Sequence, residues 1–455
     1  MNREIKEGVQ SVLIKARKSL KLEEIIENIP EYISELDDSK TKERVWRLLI
    51  CEVQKPDGLF ICSNGKYDLL KRVDLRERVK NELESNGFGF SYGQIIRPKL
   101  KNKEDIRRFH APARADKYGE NKDFLEKNEE KLLTFFANGD EINIEEFWPK
   151  LEVVEANTLQ SDIFKYATLL WSVPVSQGFG RRVRFLVWDE YTGKLVGIFA
   201  LGDPVFNLGC RDRWIGWDHE DRSERLYNVM DVFVLGSVPP YNTLLGGKLV
   251  AMLATSGHVQ EIIRCRYEGK KTVIQGKNKD PRLALLTTSS ALGKSSIYDR
   301  IRYNDRVLYQ RIGESEGWGH FHLNHGLFGA LRFYLEEVKE GKVLGNRFGE
   351  GPNWKIRTAK AALSQIGLPG NILKHGIKRE VYGIPLACNF KDFLMGKETN
   401  LESFDLAFDD LASYWKERWL KGRAKKKPEF IKHKKERVSE IIHSAVMNKE
   451  GSIDE

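Results

Sequence analysis

Residues 171–218 read WSVPVSQGFGRRVRFLVWDEYTGKLVGIFALGDPVFNLGCRDRWIGWD, and this stretch decides the fold. VRFLVWD and KLVGIFAL are runs of β-branched, aromatic and aliphatic residues, the composition of buried strands. EYTG joins them, and Gly193 supplies the turn, so the pair reads as a hairpin. After Gly202 the pattern breaks into DPVFNLGCRDRWIGWDHEDRSERL. There Asp203, Arg211, Asp212, Arg213, Asp218, Arg222 and Arg225 crowd together beside aromatics. Four of the ten tryptophans fall in 171–218: Trp171, Trp188, Trp214 and Trp217. Charge interleaved with Trp and Gly fits neither a core strand nor a solvated linker. Residues 202–218 are therefore where the sequence concentrates its functional signal.

Working downstream, VMDVFVLG is a third strand with Asp231 inside it. A carboxylate inside an apolar strand needs a partner if it is buried, and the neighbouring arginines supply one. PPYNTLLGGKLVAMLATS reads as a turn and a helix. Gly246, Gly247 and Lys248 stand at its first turn, where free N–H groups can hold an anion. HVQEIIRCRYEG is a further helix, LALLTT a strand, and SSALGKSSIYDRIRY a loop running into a helix. Arg306–Ile312 reads as one more strand. GWGHFHLNHG sets His320, His322 and His325 at ligand-like spacing, but without a Cys or carboxylate among them. Phe328–Val338 and Lys355–Leu368 are helical.

Upstream, residues 73–170 read as mainly helical, with Pro149 opening an extended segment. Residues 1–72 stand apart. Ile5–Leu20, LEEIIENIP stopped by Pro30, and Thr41–Val53 are three helices by apolar spacing. GLFICSNGKYDL then makes a hairpin across Asn64–Gly65. Three helices and a hairpin describe a winged helix. Its third helix would present Lys42, Arg44 and Arg47 to nucleic acid. The expected divisions are 1–72 winged helix, 73–170 helical segment, 171–345 α/β core, and 346–455 helical region with a basic tail.

The totals set the class. The chain has 455 residues, 41% hydrophobic and 31% charged, with a net charge of +9. These values fit a globular protein of two or three domains. Eleven lysines or arginines against three glutamates lie between Lys416 and Arg437, nearly the whole excess. Such a run can follow a phosphate backbone or form a solvated face. No apolar run is long enough for a membrane span and the first residues, MNREIKEGVQ, lack a signal core. Five scattered cysteines without a CxxC pair exclude a disulfide framework and a cysteine zinc site. A cytoplasmic protein without a membrane partner is expected.

Three motifs carry chemistry. The order of strand, glycine turn, helix, strand, loop, helix, strand after a hairpin resembles the GCN5-related acetyltransferase fold. The family's pyrophosphate turn aligns with Asn242–Gly247. It departs from the family pattern where Asn242 stands for Gln or Arg and Leu245 stands for Gly. No cofactor is therefore expected, although acyl transfer remains an alternative activity. LALLTTSSALGKSS has a Gly-Lys-Ser but Thr288 where a P-loop needs Gly. Its Ser289, Ser290, Lys294 and Ser295 still suit a phosphate. Asp203, Asp212, Asp218 and Asp231 are candidate catalytic carboxylates for a metal-dependent nuclease, but the adjacent arginines favour ion pairs and no metal is expected. Arg181, Arg182, Arg184, Arg211 and Arg213 with Trp214 and Trp217 would form a groove that holds phosphates and stacks bases.

WSVPVSQGFGRRVRFLVWD, ALGDPVFNL, RDRWIGWD, VMDVFVLGSVPPYN, LLGGKL, TTSSALGKSSIYDR and GWGHFHL resemble the Druantia protein A family across about residues 75–425. The resemblance implies a component of a bacterial anti-phage defence system, working beside a large helicase-like protein. It carries no set of catalytic residues. The combined expectation is an N-terminal winged helix followed by an acetyltransferase-like mixed sheet that binds DNA rather than RNA.

Overall fold

The computed structural model describes residues 2–29, 38–54, 59–91, 94–175, 178, 180–272, 276–338 and 354–450. The chain forms two compact units, Met1–Lys99 with Trp318–Gly376, and Leu100–Gly317 with Ile377–Glu455. The helix stop at Pro30 and the division at residue 345 lie outside the described residues.

In the first unit, α1 (Asn2–Ala16), β1 (Leu20–Lys21), α2 (Leu22–Asn28) and α3 (Asp38–Val53) precede the hairpin β2 (Phe60–Ser63) and β3 (Lys66–Leu69). The three strands pair antiparallel in the order β1-β3-β2. Asn64 and Gly65 take φ values of 52° and 72°, the left-handed pair that a two-residue hairpin turn requires. The apolar spacing read from the sequence is the core: Ile5, Val9 and Leu13 of α1 close on Ile25, Val45, Leu49, Phe60 and Leu69. α3 starts three residues before the expected Thr41. Next come α4 (Leu70–Ser85) and the hairpin β4 (Gly89–Ser91) and β5 (Gln94–Ile96). Arg72 of α4 is fully buried, paired with Asp68, and donates to the Lys18 carbonyl at 3.0 Å. The distant helices α12 (His325–Val338) and α13 (Trp354–Gln365) complete this unit.

In the second unit, α5 (Lys103–Gly119) and α6 (Lys122–Leu133) lead to β6 (Pro149–Val154) and α7 (Leu159–Thr168). The hairpin is β7 (Arg182–Asp189) and β8 (Lys194–Gly202). Gly193 closes its turn at φ 66°. α8 (Gly209–Ile215), α9 (His219–Arg225), β9 (Val229–Ser237), α10 (Gly246–Leu253), α11 (Gly257–Tyr267) and β10 (Leu285–Ser289) follow. Then come the short pair β11 (Arg302–Tyr303) and β12 (Arg306–Val307), and β13 (Gln310–Glu314). After the first unit's insertion the chain returns as β14 (Glu380–Pro385), α14 (Phe390–Leu394), α15 (Phe408–Trp415), a π-helical segment Lys416–Leu420, α16 (Lys421–Lys426) and α17 (Glu436–Glu450).

Seven strands form one mixed sheet in the order β13-β14-β10-β9-β8-β7-β6. All pairs are antiparallel except β9 with β10. A parallel pair needs a crossover, and α10 and α11 supply it. Both sheet faces are covered, which is why β7 and β8 read as continuous apolar runs. One face packs Val196, Phe199, Met230 and Val232 under α10 and Trp415. The other packs Leu186, Ile198, Ala200 and Val234 against Phe164 and Tyr166 of α7 and Ile442 of α17. Gly197 and Gly236 face each other so closely that a Cβ on Gly197 would overlap the Gly236 carbonyl.

Four expectations need correction. The first helix runs Asn2–Ala16 and stops short of Leu20, which pairs in β1. The expected strand Arg306–Ile312 is broken at the buried Leu308 and Tyr309 into β12 and β13. Residues 202–225 are not irregular throughout: they hold the two short helices α8 and α9. The loop after Ser289 does not run into a helix. Only a 3-10 turn, Tyr298–Arg300, forms, because Tyr298 is drawn inward to stack on Tyr309 at 5.0 Å and the chain enters β11 at once.

Candidate functional site

One row of residues crosses the sheet: Arg182 on β7, Gly202 on β8, Asp231 on β9, Thr287 on β10, Gly383 on β14 and Gln310 on β13. Each is the registered partner of the next. Registered partners project from the same face, so this row is a strip of polar residues and glycines across the sheet. The two glycines leave the strip without side chains on either side of the Asp231–Thr287 pair. Trp214 of α8 lies above Gly383, where an added Cβ would meet its ring at 2.5 Å. Phe233, two residues along β9 on the same face, carries the Arg182 guanidinium 3.9 Å over its ring.

Asp231 is half-buried, and its Oδ1 accepts from the Thr287 hydroxyl at 2.8 Å. Burial pushes its carboxyl up to about 6, against the opposing pull of the Thr287 hydroxyl and the Arg211 and Arg182 charges. A carboxyl poised there can take up or release a proton near neutral pH.

The other aspartates do different work. Asp203 accepts from Arg181 Nε at 2.6 Å and from the Arg181 backbone N–H at 2.8 Å. Arg181 itself is buried, with its guanidinium 3.9 Å over the Tyr227 ring. Asp212 binds Arg211 Nε at 2.8 Å and Arg222 Nη1 at 3.0 Å. Asp218 caps α9, accepting from the Asp221 N–H at 2.9 Å. The four carboxylates are thus held by separate partners. Among the described residues no group of three or more His, Cys, Asp or Glu is arranged to hold a metal ion.

The arginines and tryptophans divide likewise. Arg211 is fully buried and donates to the Val205 and Phe206 carbonyls at 2.9 and 2.8 Å, fixing the loop that enters α8. Trp217 is buried with its indole N–H given to the Leu394 carbonyl at 2.7 Å. Arg184 reaches the Ser161 hydroxyl at 3.2 Å. Arg213 is exposed, and Trp214 is half-buried between Phe390 and the Lys391 ammonium. Of the expected groove, Arg181, Arg211 and Trp217 are buried, Arg182, Arg184 and Trp214 are half-buried, and Arg213 is exposed.

In the serine loop, Ser290 is buried and its N–H goes to the Glu380 carbonyl at 2.8 Å. Ser295 caps the 3-10 turn, accepting from the Tyr298 N–H at 3.3 Å. Ser289 and Lys294 are exposed. In the glycine turn, Leu245 has φ 62°, the left-handed conformation that glycine adopts without strain. Its carbonyl accepts from Trp415 Nε1 at 3.1 Å, and the Thr243 carbonyl accepts from Arg423 Nε at 2.9 Å. Trp415 and Arg423 of the C-terminal region therefore close over the turn. In the first unit, α3 exposes Lys42, Arg47 and Trp46, the last 47% exposed, with Arg44 half-buried beside them. His322 is buried, sharing a hydrogen bond with the Ile372 carbonyl, and burial lowers it to about 4.

The row was legible only in part. Asp231 and Arg182 stood out as charges beside apolar runs. Gly202, Thr287, Gly383, Gln310 and Phe233 carried no local signal, because register alone brings them together.

A mixed, mostly antiparallel seven-strand sheet covered by helices on both faces defines the class as an α/β protein. The family model described as Druantia protein DruA matches residues 100–396. Druantia protein DruA of Escherichia coli (strain UMEA 4076-1) is 43% identical over 363 residues, covering 79% of this chain and 90% of that protein. No solved structure matches. The chain belongs to the Druantia protein DruA family.

Proposed function

We propose that this chain is the nucleic-acid-engaging component of its defence system, with residues 1–72 acting as a winged helix that docks on duplex DNA. Membership of the family makes it a component of an anti-phage defence system. The observation that carries the reading is the outer face of α3, where Lys42, Trp46 and Arg47 are exposed on a three-helix, three-strand module. Basic residues on one helix face supply phosphate contacts, and an exposed aromatic adds apolar contact. In this reading the second unit transmits binding to a helicase-like partner. The test is fluorescence anisotropy with a labelled duplex over a salt series. Lys42→Glu with Arg44→Glu and Arg47→Glu should weaken binding and flatten the salt dependence by about one unit per lost phosphate contact. Unchanged affinity and slope would sink the α3 reading.

A second reading, acyl transfer on an acetyltransferase-like sheet, is supported by the strand order. The support is an antiparallel β6–β9 meander followed, after α10, by the parallel β10; the helix expected between β10 and the last strand is only a 3-10 turn. Asp231 would then be the proton acceptor. The Trp415 and Arg423 bonds to the turn carbonyls weigh against coenzyme A there. A thermal-shift titration with acetyl-CoA decides it: no shift at millimolar ligand removes this reading.

A further inference from the structure

Lys248 stands in the first turn of α10 and is only 8% exposed. Side chains of a helix lean toward its N-terminus, so its ammonium is carried back toward the glycine turn. It lies 4.5 Å over the Trp419 ring. Arg418, the neighbouring residue, holds its guanidinium 5.8 Å from the same ring. Both sit on the π-helical segment Lys416–Leu420, an irregularity of a kind that often marks functional positions. From the other side comes the loop before β11. A Cβ on Gly247 would touch Ile297, three residues before the exposed Arg300. Burial, and then the charges of Arg300 and Arg418, lower the Lys248 pKa.

Lys248 and Arg418 thus share the Trp419 ring, the charge of Arg300 also bears on Lys248, and no ion pair joins any of the three to a carboxylate among the described residues. Desolvating one ammonium beside two guanidinium groups is unfavourable unless an anion occupies the space between them. The turn's amides do not fill that role. Gly246 N–H goes to the Tyr241 carbonyl at 2.8 Å and Lys248 N–H to the Leu245 carbonyl at 2.9 Å. Beside the cations runs an aromatic series, Trp419 to Tyr414 at 5.7 Å and Tyr414 to Tyr303 at 5.2 Å, with exposed Arg302 along it. Arginines and lysines interleaved with aromatics are the surface on which nucleotides lay phosphates and bases.

We propose that Lys248, Arg300 and Arg418 form a phosphate-binding site for a nucleotide ligand, with Trp419 as its aromatic wall. The site is independent of α3, lies in the other unit, and is built from side chains rather than from the glycine turn's backbone. Two sources share this chemistry, the backbone of a single strand and the phosphates of a free nucleotide.

The experiment uses the full chain with a labelled single-stranded oligonucleotide, sodium pyrophosphate and ADP. Two variants are compared with wild type. Lys248→Met keeps the aliphatic stem on Trp419, and Arg300→Gln with Arg418→Gln changes exposed residues only. Lys432→Gln is the exposed basic control. The expected result is about tenfold or greater loss of binding in both site variants and none in the control, with a salt slope lower by about 0.7 per lost phosphate contact. Competition of the oligonucleotide by ADP at its own affinity identifies free nucleotide as the source; strand binding that pyrophosphate and ADP do not displace identifies the backbone. Wild-type binding retained in both variants, or no binding of any probe by wild type, overturns the proposal. The α3 triple variant retains all three cations, so its pyrophosphate and ADP binding separates failure of this site from failure of the duplex reading.

Discussion

Arg211 and Trp217 on one side, and Arg47 and Trp46 on the other, are the same residue types with opposite fates. The first pair is buried: Arg211 is spent on Asp212 and two loop carbonyls, and Trp217 on the Leu394 carbonyl. The second pair is exposed on α3, and Arg47 pairs with the exposed Glu43. The difference teaches that arginine and tryptophan density does not distinguish a nucleic-acid surface from a buttress. The surroundings do. In 205–222 an aspartate follows Arg211 directly and unpaired loop carbonyls lie within reach, so the guanidinium is satisfied inside. On α3 the helix satisfies its own carbonyls, and the exposed arginine pairs with a surface glutamate.

The largest effect that would break this comparison is on stability. Arg211→Met leaves Asp212 and two carbonyls short of a donor and should destabilise the fold by about 3–5 kcal/mol, read by urea denaturation. A loss under about 1 kcal/mol would mean that the buried network is not what holds this loop. Trp46→Ala with Arg47→Ala on α3 should change stability by no more than about 0.5 kcal/mol per site while lowering duplex affinity, which sets the two regions apart in one pair of measurements.

The middle-sized effect concerns Asp231. Its folded carboxyl, at about 6, lies above the ordinary value of 3.8, so the folded state holds its proton more tightly than the unfolded chain. Stability from this group is therefore full below about pH 4, falls as pH rises to about 6, and is level above it. Asp231→Asn keeps an acceptor for Thr287 and removes the penalty. It should match wild type at pH 4 and exceed it by on the order of 2 kcal/mol at pH 7.5. Thermal melts at the two pH values check this, and a variant less stable at both would show that the charged form is favoured in place.

The smallest effect tests the outer wall near α8. Arg213→Gln, exposed and unburdened by a network, should leave stability within about 0.5 kcal/mol. If it also leaves single-strand affinity unchanged while Lys248→Met lowers it, the phosphate-binding face is the α10 side of the sheet and not the α8 side.

Much of the secondary structure was legible because it depends on neighbours in sequence. The apolar runs of β7, β8 and β9, the turn at Gly193, the Asn64–Gly65 hairpin and the helical spacing of α1 and α3 are local patterns, and each marks an element, with both ends of α1 and the start of α3 shifted by three or four residues from those expected. α8 and α9 were not legible, since seven-residue helices are too short for periodicity and Asp218 capping looks like any acidic residue in a loop. β14 gave no warning either: it arrives about seventy residues after β13 and inserts between β13 and β10.

What the sequence by itself determined is the strands β7 to β9, the turns and the family, because propensity, turn geometry and motif identity need no distant partner. What only the tertiary structure decided is register and burial. The Arg182–Gly202–Asp231–Thr287–Gly383–Gln310 row exists because strands far apart in the chain pair in one alignment, and a one-residue slip in any pair would turn those side chains to the opposite face. The same closure chose which arginines meet aspartates and carbonyls and which were left facing water.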